Sequence, residues 1–225
     1  MMADRKIQNS ANSMEENFIS NLLKKPVWVV FVISGLFYLT GLVLFSQFVW
    51  DANTYQLNFK GDDFDAYISN IRRIDYLRYA LSPLWVLGVT AIIWVVVKAG
   101  LLIAQIELDT FLLFKIILIG FIILAMPFWI KSIWLILVQG SYTPDDIKYF
   151  FPGSIVLFID ISEMKEATIN ALSHINIYHL GFMLFTAWQI SKNSELRFFK
   201  SLLLMLFTYG LSVVLLRCLI LVFVM

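Results

Sequence analysis

The stretch Val27–Trp50, VWVVFVISGLFYLTGLVLFSQFVW, carries no charged side chain, and the first charge after it is Asp51. A helix rises 1.5 Å per residue, so a run of this length crosses a hydrocarbon core of about 30 Å with some to spare. Trp28 and Trp50 stand near its two ends, at the headgroup level that indole rings prefer. The stretch predicts a transmembrane helix. It is not a cleavable signal peptide, because the apolar run starts only at Pro26, is too long, and lacks a small-residue cleavage site.

The rest of the chain follows the same chemistry. Hydrophobic residues make up 60% of the sequence and charged residues 15%, against about 25% charged in a soluble domain. A soluble fold of this size buries only about 70% of its chain surface and could not hide so much apolar area. The net charge of +1 excludes the strong basic field of a nucleic-acid binder. Cys218 is the single cysteine and has no intramolecular disulfide partner.

Four further spans are expected, at about residues 82–104, 111–137, 171–191 and 199–225, behind a polar cytoplasmic tail over residues 1–25. Between the first two spans, Gly61-Asp62-Asp63 reads as a helix start. Phe64, Tyr67, Ile68, Ile71, Ile74 and Leu77 then recur at helical spacing, with Arg72, Arg73 and Arg78 among them. Two readings stay open here: an interfacial helix lying on the membrane surface, or a lead-in helix packed on neighbouring spans. Ser82-Pro83 reads as the N-cap and first position of the second span. Pro127 is expected to kink the third. Gly140, Pro144 and Pro152-Gly153 read as helix breakers in the connection 139–168, where Ser154–Ile159 is too short to span and is expected to dip into the interface. The fold class predicted is therefore all-α, an integral membrane bundle of about five transmembrane helices with an interfacial amphipathic helix.

Lysine and arginine near the span ends give the orientation. Arg5, Lys6, Lys24, Lys25, Lys98, Lys115, Lys192, Arg197 and Lys200 fall on one side, nine against seven on the other, where ten acidic residues dilute them. The bias predicts a cytoplasmic N-terminus.

No phosphate-binding loop, zinc-protease, nucleophile-elbow, dinucleotide-binding or paired-cysteine motif occurs. No catalytic, cofactor-binding or metal-binding residue is assigned, and the chain is not expected to be an enzyme. His174 and His179 are five apart, about 140° around a continuous helix, which argues against a shared metal. His174 is instead expected to meet Tyr178. Asp62, Asp63 and Asp65 lack calcium-loop spacing and suit a solvated helix N-terminus. Charged groups inside spans are costly and raise a functional question. Lys98 and Lys115 can snorkel. The candidate intramembrane functional residues are Arg217, Lys131, His174 and His179, with Asp160 or Glu163 as the expected acid partner of Arg217. Gly100 with Ala104, and Thr208 with Ser212, are small-residue pairs suited to close helix contacts.

Leu108-Asp109-Thr110-Phe111 leads into a span with a central proline at Ala125-Met126-Pro127. Ile175-Asn176-Ile177-Tyr178-His179-Leu180-Gly181-Phe182 follows, then Gln189-Ile190-Ser191-Lys192 and a last apolar span. In this order over residues 80–225 the chain resembles the Yip family of Rab-interacting membrane proteins and their bacterial relatives. The resemblance implies a five-span protein with a cytoplasmic N-terminus and no enzymatic activity, acting through partners. Two functions are expected: a non-catalytic scaffold or accessory subunit of a membrane transport, export or trafficking assembly, or else a small-molecule transporter or channel with a path near Arg217. The expected partners are the lipid bilayer and other membrane subunits or further copies of the chain, with no nucleic acid and no cofactor. The expected location is a bacterial inner membrane, with a eukaryotic endomembrane as the alternative.

Overall fold

The computed structural model describes residues 18–49, 64–139, 142–161 and 163–224, with side chains excepted at 64–68, 144 and 218–224. The expectations for the tail up to Asn17, for Trp50, for Gly61-Asp62-Asp63 and for Gly140 lie outside them.

In chain order, α1 covers residues 18–24 and α2 Val27–Leu44, which runs on as a wider π-type turn, Phe45–Val49. Next come α3 (Phe64–Ile103) and α4 (Thr110–Ile133), the latter continued by a π-type stretch, Trp134–Gln139. A connection holds α5 (Pro144–Tyr149), a 3-10 turn (Ile155–Phe158) and α6 (Glu166–Leu172). It leads to α7 (Ile177–Asn193), α8 (Phe198–Met205), a π-type turn (Leu206–Gly210) and α9 (Leu211–Val224). Four stretches are long and apolar enough to cross a membrane: Val27–Val49, Ser69–Ile103, Thr110–Gln139 and Phe198–Arg217. Trp28, Leu36, Val95, Phe111, Leu137 and Phe199 all point outward from them. So much outward apolar surface suits lipid and not water. The chain is an all-α integral membrane protein.

Two expected helix starts are corrected. Ser82-Pro83 does not start a helix: α3 is one helix from Phe64 through Pro83 to Ile103, about 60 Å long. Proline at 83 has no N–H for the carbonyl four residues back, which is that of Tyr79. The Ser82 hydroxyl takes that carbonyl instead, at 2.9 Å, so the helix continues. Arg72, Arg73 and Arg78 therefore lie on the leading part of α3, not on a separate helix across the membrane surface. The helix expected to run on from about Ala171 is interrupted. α6 ends at Leu172, the chain turns through Ser173–Asn176, and α7 starts at Ile177. The 17 residues of α7 reach about 25 Å, and α7 is not among the four long apolar stretches, so among the described residues four candidate spans stand where about five were expected.

Asn176 makes that break. Its Oδ1 accepts the Tyr178 and His179 N–H groups at 3.0 and 2.9 Å, and its Nδ2 donates to the Ser173 carbonyl at 3.0 Å. Two orphan donors of the new helix are thereby satisfied.

Between lipid-facing helices there is little hydrophobic driving force, so close packing and polar contacts hold the bundle. α2 lies on α4, where Ser34 Oγ donates to the Leu118 carbonyl at 2.8 Å and the Trp129 indole N–H to the Phe37 carbonyl at 3.0 Å. A side chain at Gly41 would start 2.7 Å from that indole nitrogen. α4 meets α7 where Gly120 receives the Phe182 ring. α3 meets α8 and the turn after it where Gly100 receives Thr208, one member of each small-residue pair; Ala104 stays exposed. The main core joins Val97 and Leu101 of α3, Leu113 and Ile117 of α4, Phe182 of α7 and Met205 of α8. Pro127 lies inside α4 without ending it.

The ends are capped by side chains and turns. Lys115 Nζ donates to the Leu23 carbonyl at 2.6 Å and the Lys25 carbonyl at 3.2 Å, closing the C-terminus of α1. Lys98 Nζ donates to the Leu108 carbonyl at 2.9 Å. Asp109 caps α4 by accepting the Leu112 N–H at 2.7 Å. Pro144, expected as a breaker, opens α5 as its first residue, behind a reciprocal cap between Thr143 and Asp146. Gly153 has a φ of 69°, which glycine adopts freely, and a Cβ there would stand 2.7 Å from Ile177. Its carbonyl accepts the Ile177 N–H at 3.0 Å while Ile155 N–H donates to the Ile175 carbonyl at 3.0 Å. These two bonds strap the 153–155 segment to the break before α7. In the 3-10 turn Val156 is buried, while Ile155, Leu157 and Phe158 face outward.

Candidate functional site

The turn at Ser173–Asn176 determines where the histidines go. On a continuous helix they would diverge, but the break swings His174 back over the first turn of α7. The two imidazole centroids are 5.8 Å apart. The expected contact of His174 with Tyr178 is replaced: His174 Nδ1 lies 2.9 Å from the Asn170 carbonyl and 3.2 Å from Ser173 Oγ. His179 Nδ1 is hydrogen-bonded to the Tyr209 hydroxyl at 2.5 Å, with the two rings stacked. Tyr209 sits in the π-type turn between α8 and α9, which spaces it away from a regular helical register.

Arg217 joins this group from α9. Its acid partner was expected to be Asp160 or Glu163. Among the described residues neither pairs with it, and its guanidinium is hydrogen-bonded to His174 Nε2. Arginine has donors only, so Nε2 accepts, and the His174 proton sits on Nδ1 towards the Asn170 carbonyl. Asn170, His174, His179, Tyr209 and Arg217 thus form one chain of polar groups drawn from α6, the break, α7, the π-type turn and α9.

Two cavities meet at this chain. One, about 550 Å³, is a groove between α3, α4 and α9, lined by Leu84, Trp85, Gly88, Ile92, Phe121 and Phe128 and reaching Arg217. The other, about 700 Å³, lies beside the 153–158 segment, with Ile155, Phe158, Ile177 and Leu206 in its wall. His174, His179 and Tyr209 border both. Apart from these polar groups and Ser212, the walls of the first groove are almost wholly apolar.

Comparison with known protein families, with curated proteins and with solved structures finds no match for this chain.

Lys131 is not part of the cluster. Its ammonium lies over the rings of Phe45 and Phe151, 5.6 and 5.4 Å from their centroids, a pair of cation–π contacts between α4, the turn after α2 and the connection. A second polar group went unread in the sequence. Asp75, only 8% exposed, accepts from Ser46 Oγ at 2.8 Å and from Arg78 at 3.3 Å. The Ser46 and Tyr79 hydroxyls are also hydrogen-bonded to each other. The Asp75–Arg78 spacing of one helical turn was the available signal. The wider turn at Phe45–Val49, which brings Ser46 to Asp75, was not.

The Arg217 guanidinium keeps N–H groups beyond the one that His174 accepts, with apolar walls on either side. No described group of three or more His, Cys, Asp or Glu residues could hold a metal ion.

Proposed function

We propose that this chain is a non-catalytic carrier in a bacterial inner membrane, its N-terminus cytoplasmic, that binds a small amphipathic molecule at membrane level. One observation carries the reading: a groove of about 550 Å³ between α3, α4 and α9 reaches Arg217 and the two histidines. That volume is within the usual range for small-molecule sites, roughly 300–1,000 Å³, and the mix of apolar wall and few converging polar groups is typical of them. The nine-to-seven distribution of basic residues supports the orientation.

The accessory-subunit reading, to which the Yip resemblance belongs, is kept second. It is favoured by Gly35, which opens on the outer side of α2 with no atom within 4 Å of where a side chain would begin. A partner helix can approach the backbone closely at such a point.

Purification in mild detergent, followed by mass spectrometry of everything retained, separates the two. A small molecule held near one per chain, and lost in Gly88→Phe, supports the carrier. A stoichiometric protein partner with no retained small molecule overturns it.

A further inference from the structure

We propose that the groove takes an anionic amphiphile, its carboxylate or phosphate head on Arg217 and its hydrocarbon chain along α3 and α4. The inference rests on reading the groove as a ligand site and adds the class of ligand.

Charge is the first argument. Arg217 carries a full positive charge within a helix whose neighbouring residues are apolar, where an uncompensated charge is expensive. Among the described residues no carboxylate pairs with it, and its protein contact is His174. That imidazole cannot neutralise it. With its proton committed towards the Asn170 carbonyl, His174 offers one lone pair to one guanidinium N–H. The remaining donors belong to a side chain that lines the groove. A planar fork of N–H groups matches a carboxylate or phosphate better than any neutral head.

Depth is the second. Thr208 rests on Gly100, and Arg217 lies roughly 13 Å further along the same run of helix. The guanidinium therefore stands at the level of the α3 segment that forms the groove, and does not project beyond the bundle. The groove wall from Leu84 to Val96 is about 18 Å long, comparable with half of a 30 Å hydrocarbon core. A free inorganic anion would leave that apolar length unused. An amphiphile fills both parts.

Gly88 gives a clean handle. It lines the groove, and nothing lies within 4 Å of where its Cβ would stand, so a side chain can begin there without a clash and take up groove space.

The test uses the full chain in a non-ionic detergent, titrated with oleate and with oleyl alcohol, which has the same hydrocarbon chain and a neutral head. Dioleoyl phosphatidic acid and dioleoyl phosphatidylcholine form the second pair. The expected result is that oleate or phosphatidic acid binds at least about tenfold more tightly than its neutral or zwitterionic counterpart. Whichever anionic probe binds more tightly identifies the source of the head group. Arg217→Leu should abolish the preference, Arg217→Lys should keep most of it, and Gly88→Phe should weaken every probe. Equal binding of the charged and uncharged members of both pairs by the wild-type protein overturns the anionic head and leaves the groove standing. No binding of any probe overturns the groove reading as well. The wild-type comparison does not depend on whether Arg217→Leu folds.

Discussion

The Arg217 guanidinium meets His174 Nε2, on the imidazole whose Nδ1 lies 2.9 Å from the Asn170 carbonyl. This arrangement admits one tautomer, because a guanidinium cannot accept a hydrogen bond and a backbone carbonyl cannot donate one. In a nitrogen-15 correlation spectrum of histidine-labelled protein, His174 should therefore be a neutral imidazole protonated at Nδ1. Arg217→Leu should leave Nδ1 protonated towards the Asn170 carbonyl and free Nε2 to take a second proton. An Nε2-protonated ring, or an imidazolium at neutral pH, would contradict the geometry.

The contact of Gly100 with Thr208 fixes the approach of α3 to the turn after α8. A Cβ at position 100 would stand 2.2 Å from Thr208 Cγ2, so Gly100→Ala forces the helices apart or Thr208 out of place. The expected cost is about 1–3 kcal/mol, the usual range for overpacking. Thr208→Ser removes the offending methyl and keeps the hydroxyl, which donates to the Leu204 carbonyl at 2.8 Å. Thermal unfolding in detergent should show Gly100→Ala destabilised and the double variant largely restored. If the serine gives no rescue, the clash is not the cause.

The membrane class, the spans at Val27–Val49 and Thr110–Gln139 and the last helix were all legible from uninterrupted apolar runs, since lipid solvent imposes length and composition directly. What periodicity could not show was where a helix continues against a local signal. Ser82-Pro83 has the residues of a helix start, yet a hydroxyl repairs the ladder and α3 passes through. Asn176 sits inside the span expected over residues 171–191, yet its side chain ends one helix and begins the next. The histidine pair was misplaced for that reason alone: the 140° argument holds on an unbroken helix, and this helix is broken between them. Arg217, His174 and His179 were each singled out in the sequence, but Tyr209 and Asn170 were not. Their places depend on a π-type turn and a short helix that leave little periodic trace.

α3 ends in a left-handed residue that is not glycine. Gln105 has a φ of 56°, its N–H donates to the Leu102 carbonyl at 3.0 Å, and Ile106 N–H donates to the Leu101 carbonyl at 2.9 Å. Ile106 packs back on the core beside Leu101. This is a Schellman ending with glutamine where glycine is usual. The left-handed conformation costs a side-chain-bearing residue about 1–2 kcal/mol, of which the looser unfolded glycine chain returns part. Gln105→Gly should raise stability by about 0.5–1 kcal/mol, read as a higher unfolding temperature, whereas Gln105→Val should lower it. A glycine variant less stable than wild type would rule out the strain.

α5 begins with a reciprocal cap outside the spans, and that cap is sensitive to acid. Asp146 Oδ2 accepts the Thr143 N–H at 2.7 Å and the Thr143 hydroxyl at 2.8 Å, while Thr143 Oγ1 accepts the Asp146 N–H at 3.2 Å. The Thr143 N–H, and after it the hydroxyl, holds the Asp146 carboxyl below its ordinary value of 3.8. A folded-state value below the unfolded one means that the charged cap stabilises α5 fully at neutral pH. That contribution is lost as pH falls from the ordinary carboxylate range through the lowered value. The Thr143 amide proton should shift with a midpoint under 3.8, and Asp146→Ala should abolish that titration. The same variant should speed amide exchange in α5 at pH 7 and lose its effect in strong acid, where the wild-type carboxyl is itself protonated. A midpoint at or above the ordinary value would mean that the carboxylate is not held by Thr143.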